Sequence, residues 1–419
     1  MTGEGSAAGR ADRDDGASPH WRRNLAVCVA GSFTTIVAMT LLLPFLPLYV
    51  AQLGVRDPAQ VVEWSGLAYG ATFFTAALVA PLWGRLADRY GRKLMLIRAS
   101  LGMAVAMSLI GMATDVWQLV ALRLLAGLLG GYASGSNVLV AMQTPKHRTG
   151  WALGVLASGI MAGNLAGPLI GGALPPLIGI RATFWLAGAL IFAIFLATAL
   201  LIREEPPARA AAARVPGGVW SLVPDRRPVV AMLATGALLM FAVMSIEPII
   251  TVYVQQLVPD PRRVTLVAGV VMSATAFGSI LSASWLGKLA DRAGHWNVLV
   301  GGLAAASLLL IPQAFVTSSW QLIALRFLMG LALGGLQPCV TSLIRHSAPG
   351  RVTGTLLGYA TSSQFVGHVA GPLVGGFVGG HLGMRPVFLG TCALLAAGAA
   401  GNWRAAKASR VSRRRGEGP

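Results

Sequence analysis

Long apolar segments alternate with short polar ones along nearly the whole chain. Each apolar segment approaches or exceeds the roughly 20 residues that a membrane-spanning helix needs. Twelve segments can be counted, at residues 25–50, 63–83, 94–113, 117–142, 151–174, 183–202, 229–256, 264–286, 297–316, 320–343, 353–378 and 386–403. The pattern predicts an all-α integral membrane protein with twelve transmembrane helices.

The composition agrees with this prediction. Of the 419 residues, 55% are hydrophobic and 11% are charged, whereas a soluble domain carries about 25% charged residues. Polar surface is therefore too scarce to cover a water-facing globule. The three cysteines, Cys28, Cys339 and Cys392, all lie in apolar segments. The sequence therefore predicts neither a disulfide framework nor a metal site, and it indicates no cofactor.

The positions of Lys and Arg predict the orientation in the membrane. With the N-terminus inside, 25 of the 33 basic residues fall in internal segments. The external loops hold Arg56, Arg181, Arg262, Arg263 and Arg385. This asymmetry follows the positive-inside rule and predicts a multi-pass protein of the cytoplasmic (inner) membrane with both termini cytoplasmic. Contacts with anionic lipid headgroups explain the net charge of +18 without a nucleic-acid partner.

The chain also repeats itself in the same direction. Residues 117–123 return at 320–326, and residues 84–89 return at 287–292. A parallel duplication in an apolar chain predicts two bundles that face each other across a substrate path. The predicted organisation is a disordered cytoplasmic tail (1–20), an N-terminal six-helix bundle (21–203), a cytoplasmic linker (204–224), a C-terminal six-helix bundle (225–403) and a basic, disordered cytoplasmic tail (404–419).

Charged residues between the second and third segments form a candidate gating loop. In it, Asp88 could oppose the positive N-terminal end of a neighbouring helix. The positive-inside rule alone would explain the presence of basic residues here. It would not explain the order Gly-x-Leu-Ala-Asp-Arg or the return of this order at residues 287–292. The residues predicted to act in gating are Gly84, Asp88, Arg89, Gly91, Arg92 and Lys93, with Asp291 and Arg292 in the second copy.

This loop resembles the signature Gly-x-Leu-Ala-Asp-Arg-x-Gly-Arg-Lys of the major facilitator superfamily, and the resemblance extends over residues 21–403. It implies that Asp88 stabilises one of two alternating arrangements of the bundles. The second copy is degenerate, because His295 and Trp296 replace its Arg-Lys pair. Asp291 would therefore be the weaker counterpart.

A glycine–proline string marks the fifth segment. It consists of Gly163, Gly167, Pro168, Gly171 and Gly172. Glycines four residues apart share one helix face and let another backbone approach, and the proline predicts a local bend. The string resembles the antiporter signature of drug–proton exchangers, which implies export. Generic helix packing is the alternative, and an equally good copy on the eleventh segment indicates that the string partly records the duplication.

Arg123 and Glu247 are the candidates for proton coupling. A guanidinium in an apolar segment is costly and is expected to face the bundle interior, a partner or water. The position of Arg123 matches the family's Arg-x-x-x-Gly motif, which is associated with proton transfer. An equally open alternative is that Arg123 and Arg326 pair with loop carboxylates at their own ends of the bundle.

Glu247 is the only carboxylate deep in an apolar segment, and Pro248 beside it interrupts the helix. Protonation lowers the cost of burying a carboxyl group, so Glu247 suits proton coupling. Some multidrug proton antiporters of the family also carry a working carboxylate in this helix. The alternative is a neutral, hydrogen-bonded glutamate that only stabilises a kink.

Polar or aromatic residues at mid-helix depth are the candidates for a substrate cavity. They are Tyr69, Phe73, Asn137, Asn164, Gln337 and Gln364. A mostly apolar lining with few polar groups suits lipophilic compounds, although each residue could instead serve helix packing. His368, at similar depth, is expected to be a satisfied core histidine.

The resemblance implies a proton-coupled exporter of small, lipophilic, drug-like compounds. Its expected partners are that substrate, protons and the lipid bilayer, and nothing in the sequence demands more than a monomer. The sequence has no metal-spaced cluster, activated nucleophile or phosphate-binding loop, so an enzyme is not expected. A proton-coupled nutrient or metabolite symporter and a lysophospholipid flippase share the fold and stay open as alternatives.

Overall fold

The computed structural model describes residues 18–204, 219–223 and 225–416. The regular structure of these residues is helical, in twelve spans that follow the predicted order and are numbered span 1 to span 12. Eight spans are single helices: Pro58–Tyr90 (span 2), Arg92–Ile110 (span 3), Thr149–Ile178 (span 5), Ile180–Leu201 (span 6), Val264–Ala293 (span 8), His295–Gln313 (span 9), Gly350–His381 (span 11) and Met384–Gly416 (span 12). Four spans consist of two helices each: Trp21–Thr40 with Leu46–Gln52 (span 1), Val116–Leu129 with Tyr132–Gln143 (span 4), Arg226–Met244 with Glu247–Leu257 (span 7) and Ser319–Leu333 with Leu336–Ser347 (span 10). Short 3-10 helices occupy Leu43–Phe45, Lys146–Arg148, Val219–Leu222 and Pro261–Arg263.

Eleven of the described spans are long and apolar enough to cross a membrane. Span 11 has sufficient length, with 32 residues, but Thr, Ser, Gln and His side chains lower its hydropathy around residues 361–368. Each predicted apolar segment coincides with one of the twelve spans, although three segments (94–113, 183–202 and 297–316) extend one to three residues beyond the helix end. The prediction of an all-α, multi-pass membrane protein is therefore confirmed.

The split spans are the first, fourth, seventh and tenth, so that every third span is broken. In span 4 the helix breaks at Gly130 and Gly131, and Gly131 has a φ of 107°, a backbone conformation that favours glycine. In span 7 the break falls at Ser245 and Ile246, and Pro248 stands in the first turn of the next helix, where its missing N–H costs little. The sequence indicated only the interruption of span 7, because Gly-Gly pairs also occur inside continuous helices. Broken helices are tolerated at membrane depth where they are buried in protein or line a cavity.

The described residues form two compact units. Unit 1 comprises the described parts of 1–42 and 74–211, and unit 2 those of 43–73 and 212–419. Residues 43–73 belong to unit 2 because they pack against spans 7, 8 and 11. The predicted pair of six-helix bundles, at 21–203 and 225–403, is a different partition and stays a prediction.

Two local predictions are wrong. The gating motif is not a loop, because span 2 continues through Tyr90 and span 3 begins at Arg92, so that only Gly91 lies outside a helix. Gly91 makes this turn with a φ of 94°. The C-terminal segment is not disordered over residues 404–416, because span 12 continues to Gly416. The remaining predictions of tails and linker, at residues 1–17, 205–218, 224 and 417–419, lie outside the described residues.

Candidate functional site

Glu247 begins the second helix of span 7, and its carboxyl group meets a side chain from span 2. The hydroxyl of Tyr69, a buried residue, donates a hydrogen bond to it. The other carboxyl oxygen, Oε2, is buried and accepts no hydrogen bond from the described residues. Because Glu247 stands in the first turn of a helix, the helix dipole favours a negative charge there. The carboxyl group is thus held by one donor and keeps one oxygen for a proton.

Arg326 of span 10 lies near enough to Glu247 to interact with it electrostatically, although the two groups form none of the described ion pairs. The Arg326 side chain is only 2% exposed. Removing either group would deprive the other, which is also buried, of a nearby opposite charge. The sequence leaves open a pairing of Arg326 with a loop carboxylate, but the structure places the loop carboxylate Asp291 next to His295, with Oδ1 3.7 Å from Nε2.

A row of aromatic and amide side chains continues from Tyr69 within unit 2. The ring of Phe73 lies 5.3 Å from that of Tyr69 and 4.6 Å from that of His368, measured between centroids. His368 Nδ1 lies 2.9 Å from the carbonyl oxygen of Gln364, so this ring has a backbone partner, as expected. Gln364 Nε2 donates to Gln337 Oε1 at 3.2 Å. Four of the six predicted cavity residues therefore belong to one row that reaches Glu247.

The other two predicted cavity residues, Asn137 and Asn164, lie in unit 1. Both are exposed, and the amide group of each donates to the carbonyl oxygen four residues earlier in its own helix. Arg123, in the same unit, is 0% exposed on the first helix of span 4. Its burial agrees with an interior role, and its part in proton coupling stays a prediction.

The predicted gating residues surround the turn at Gly91. Asp88, whose side chain is 68% exposed, forms an ion pair with Arg92, so it joins the end of span 2 to the start of span 3. The guanidinium of Arg89 lies 5.2 Å from the ring centroid of Tyr90. Gly84 lies inside span 2 with open space around it. In the second copy, Arg292 is exposed near the end of span 8.

Glu204 is the residue of this region that sequence reasoning missed. Its Oε1 accepts the backbone N–H of Arg92 at 2.8 Å, and its Oε2 accepts that of Lys93 at 2.7 Å. The carboxylate that caps the N-terminal end of span 3 is therefore Glu204, whereas Asp88 had been expected to oppose a helix end. A side chain at Gly91 would meet Glu204 Oε2 at 2.9 Å. The signal in the sequence was an acidic residue two positions after the end of the sixth apolar segment.

The glycine face of span 5 packs against span 1. A Cβ atom at Gly163 would lie 3.0 Å from the carbonyl oxygen of Phe33, and one at Gly171 would overlap that of Leu41. A Cβ atom at Gly167 would overlap the hydroxyl oxygen of Thr40 and lie 3.1 Å from the carbonyl oxygen of Val37. Pro168 and Gly172 are buried within the continuous helix. The predicted close approach of another backbone is confirmed. The implied role in antiport stays a prediction.

A second close approach joins spans 2 and 11 within unit 2. A Cβ atom at Gly66 would overlap the carbonyl oxygen of Pro372, and one at Gly376 would lie 3.2 Å from Gly66 Cα. Nearby, Glu63 Oε1 lies 3.1 Å from His381 Nδ1. The sequence placed Glu63 only near the start of a helix. Its partner could not be predicted, because it lies 318 positions further along the chain.

Twelve spans, four of them broken, with a buried carboxyl group at one break and a buried arginine in electrostatic range of it, define a multi-pass membrane transporter. The sequence model of the Major Facilitator Superfamily matches residues 28–311 and 264–418. The chain belongs to this superfamily, and the predicted fold class is confirmed.

Comparison with individual proteins supports the same family. The chain is 41% identical over 395 residues to the multidrug resistance protein MdtG of Salmonella typhimurium, covering 94% of this chain and 98% of that protein. Among solved structures, a bacterial homologue of the human lysosomal transporter Spinster, inward-facing and occupied, superposes with a TM-score of 0.75 at 17% identity, covering 94% of this chain and 98% of that one. The nucleoside transporter NupG gives a TM-score of 0.70 at 14% identity, covering 90% and 99%. At these identities the two structures show the fold alone.

Proposed function

We propose that the chain exports small, lipophilic, drug-like compounds across the cytoplasmic membrane by proton-coupled alternating access. The observation that carries the proposal is the carboxyl group of Glu247 beside Tyr69 and Arg326. The 41% identity to a protein named for multidrug resistance supports the choice of cargo and of direction. Both termini are cytoplasmic in this proposal, and the protein works as a monomer without enzymatic activity.

Proton binding at Glu247 changes the contacts among spans 2, 7 and 10. The ionised carboxylate attracts Arg326 and accepts the Tyr69 hydroxyl. A proton arriving from outside removes the charge and therefore most of the attraction to Arg326. A ligand shifts a conformational equilibrium only through interactions that differ between the two conformations of the protein. Loss of the attraction between Glu247 and Arg326 is such a difference. Arg123 is a second candidate in the proton path.

The gating residues would bias the two states. Asp88 holds Arg92, and Glu204 holds the backbone of the same turn, so the junction of spans 2 and 3 can move as one piece. In the proposal the moving bodies are the six-helix bundles at 21–203 and 225–403. Asp291 contributes less, because its partner His295 carries a charge only when protonated.

The row from Tyr69 to Gln337 supports a lipophilic substrate. It offers aromatic faces and two amide groups, with Glu247 at one end. A mostly apolar site with few polar anchors favours compounds of that kind over sugars or amino acids. Asn137 and Asn164 would add polar contacts from unit 1.

Dye accumulation in inside-out vesicles tests the proposal. We expect wild-type vesicles to accumulate a lipophilic dye when the interior is acidified, and an uncoupler to abolish this. Glu247→Gln keeps the size and removes the charge, so proton-driven transport should be lost. Glu63→Gln, which also removes a carboxylate from unit 2, is the matched control and should stay active.

Three outcomes contradict the proposal. Full proton-driven transport in Glu247→Gln removes Glu247 from the coupling step. Dye or solute movement in the opposite sense favours the nutrient or metabolite symporter. Movement of lysophospholipids that depends on their headgroup, with no dye transport, favours the flippase.

A further inference from the structure

A cavity of about 960 Å³ opens between the first helix of span 1 and the N-terminal half of span 5, within unit 1. Its walls are apolar and include Leu25, Val29, Phe33 and Val155. The volume lies at the upper end of the roughly 300–1,000 Å³ that small-molecule sites occupy. None of the predicted site residues lines it, so neither the proton site nor the aromatic row accounts for it.

Two tryptophans and two arginines line the end of this cavity at which both helices begin, and this end is called its mouth. Trp21 and Trp151 meet edge to face, with ring centroids 6.4 Å apart. Arg22 and Arg148 approach the Trp21 ring, with guanidinium carbons 5.3 and 6.0 Å from its centroid. Two guanidinium groups that are far apart in the sequence therefore lie close to the same indole ring, that of Trp21. Trp151 is 62% exposed, so part of this mouth is free for a ligand.

No negative group among the described residues offsets these charges. The cavity lining contains no carboxylate, and Arg22 and Arg148 take part in none of the described ion pairs. Two helices also begin here, at Trp21 and Thr149, without an acidic residue in the first turn and without a side-chain cap. Helix N-terminal ends favour anions. The mouth therefore attracts a negative head, while the walls exclude a ligand that is polar throughout.

We propose that this cavity binds an amphiphilic anion by its negative head and one apolar chain. The carboxylate, sulfate or phosphate head lies between Arg22 and Arg148, and the apolar body lies along Leu25, Val29 and Phe33. A cation is disfavoured because it would meet two guanidinium groups. The same chemistry could come from a free amphiphile or from an anionic phospholipid. The inference does not depend on proton-coupled export, because it concerns equilibrium binding.

Tryptophan quenching by a brominated amphiphile tests the site. The full-length protein in phosphatidylcholine nanodiscs is titrated with 11-bromoundecanoate, whose bromine quenches an indole on contact. The neutral 11-bromoundecanol is the control for partition into the bilayer. We expect saturable quenching by the carboxylate alone, reduced in Trp151→Phe. Binding should persist in Glu247→Gln without a proton gradient, which separates this site from the proposed transport step.

Two sets of variants test separately how the site binds the negative head of the ligand and how it binds the ligand's apolar part. Arg22→Gln with Arg148→Gln should weaken binding by about tenfold or more, because charge-assisted hydrogen bonds to the head are lost. Lys146→Gln, which removes a positive charge two residues from Arg148 and outside the lining, should leave binding unchanged. Ala30→Phe keeps both arginines and fills the apolar part, so it should also weaken binding. Ala30 is exposed and lines the cavity, so the larger side chain can be accommodated without disturbing the core.

Equal quenching by the alcohol, or unchanged affinity in both the double arginine variant and Ala30→Phe, would overturn the proposal. A further arm identifies the source of the anion. Phosphatidylglycerol with brominated chains should quench in an arginine-dependent way and compete with 11-bromoundecanoate if a lipid occupies the site. Quenching by 11-bromoundecanoate that phosphatidylglycerol does not reduce identifies a free amphiphile. Binding of an anion from either source supports the proposed recognition of a negative head by the two arginines and of an apolar chain by the cavity walls.

Discussion

The hydroxyl of Tyr69 hydrogen-bonds the carboxyl group of Glu247, so that a residue predicted to line a substrate cavity directly contacts the residue predicted to carry a proton. Tyr69 lies on the part of span 2 that belongs to unit 2, and Glu247 lies on span 7 of the same unit. A proton at Glu247 and a substrate against the Tyr69–Phe73 aromatic pair would therefore act on adjoining groups. Coupling between the two needs no long pathway.

Tyr69→Phe should slow proton-driven transport. The substitution keeps the ring beside Phe73 and removes only the hydrogen bond to Glu247, which is worth about 1.5–3 kcal/mol when the acceptor is charged. We expect the proton-driven rate in inside-out vesicles to fall by about tenfold or more. Exchange of labelled for unlabelled dye without a gradient should change little.

Tyr90→Phe is the control for this prediction, because Tyr90 is exposed at the end of the same span. Its transport rate should equal that of the wild type. If Tyr69→Phe also retains the full rate, the hydrogen bond has no part in coupling.

Arg326→Met should destabilise the protein by about 0.5–3 kcal/mol, because the buried Glu247 would lose its favourable interaction with an opposite charge. Adding Glu247→Gln removes that stranded charge and should restore much of the stability, but not proton-driven transport. Thermal unfolding in detergent measures the first effect and vesicle transport the second.

Arg262→Gln serves as the reference for the loss of one arginine, because Arg262 is exposed. It should leave the unfolding temperature almost unchanged. Equal stability of Arg326→Met and its double variant would mean that the two charges do not interact.

Gly171→Ala should disrupt the packing of spans 1 and 5, because its methyl group would overlap the carbonyl oxygen of Leu41. Overpacking of this kind costs about 1–3 kcal/mol, or more where backbone must move. Gly154→Ala lies on the same helix with nothing within 4 Å and should be neutral or stabilising. The comparison is made by thermal unfolding, and equal stability of the two variants would contradict the close approach.

Glu204→Gln should lower the stability of the junction between spans 2 and 3. The amide can accept from only one of the two N–H groups that the carboxylate now holds, so a loss of about 1 kcal/mol is expected. Glu205→Gln makes the same charge change one residue further along the chain. A similar fall in unfolding temperature for both variants would assign the effect to net charge rather than to the cap.

Much of the fold could be read from the sequence, because a bilayer imposes its pattern locally. A spanning helix must be apolar over about 20 residues, whatever its neighbours are. The twelve spans and the close glycine face of span 5 follow from such local patterns. The helical structure of the gating motif could not be predicted in this way, because a charged segment at the end of an apolar run can be either loop or helix.

The sequence by itself determined the class of protein, the order of its spans, and Glu247 and Arg326 as ionisable groups within apolar segments. Only the tertiary structure decided that Tyr69 contacts Glu247 with Arg326 in electrostatic range, and that Glu204 rather than Asp88 caps span 3. It also decided that Arg22 and Arg148 approach the same indole. The physical reason is that burial depends on composition along one helix, whereas pairing depends on which helix faces turn toward each other. Uniformly apolar helices carry too little periodicity to reveal that rotation.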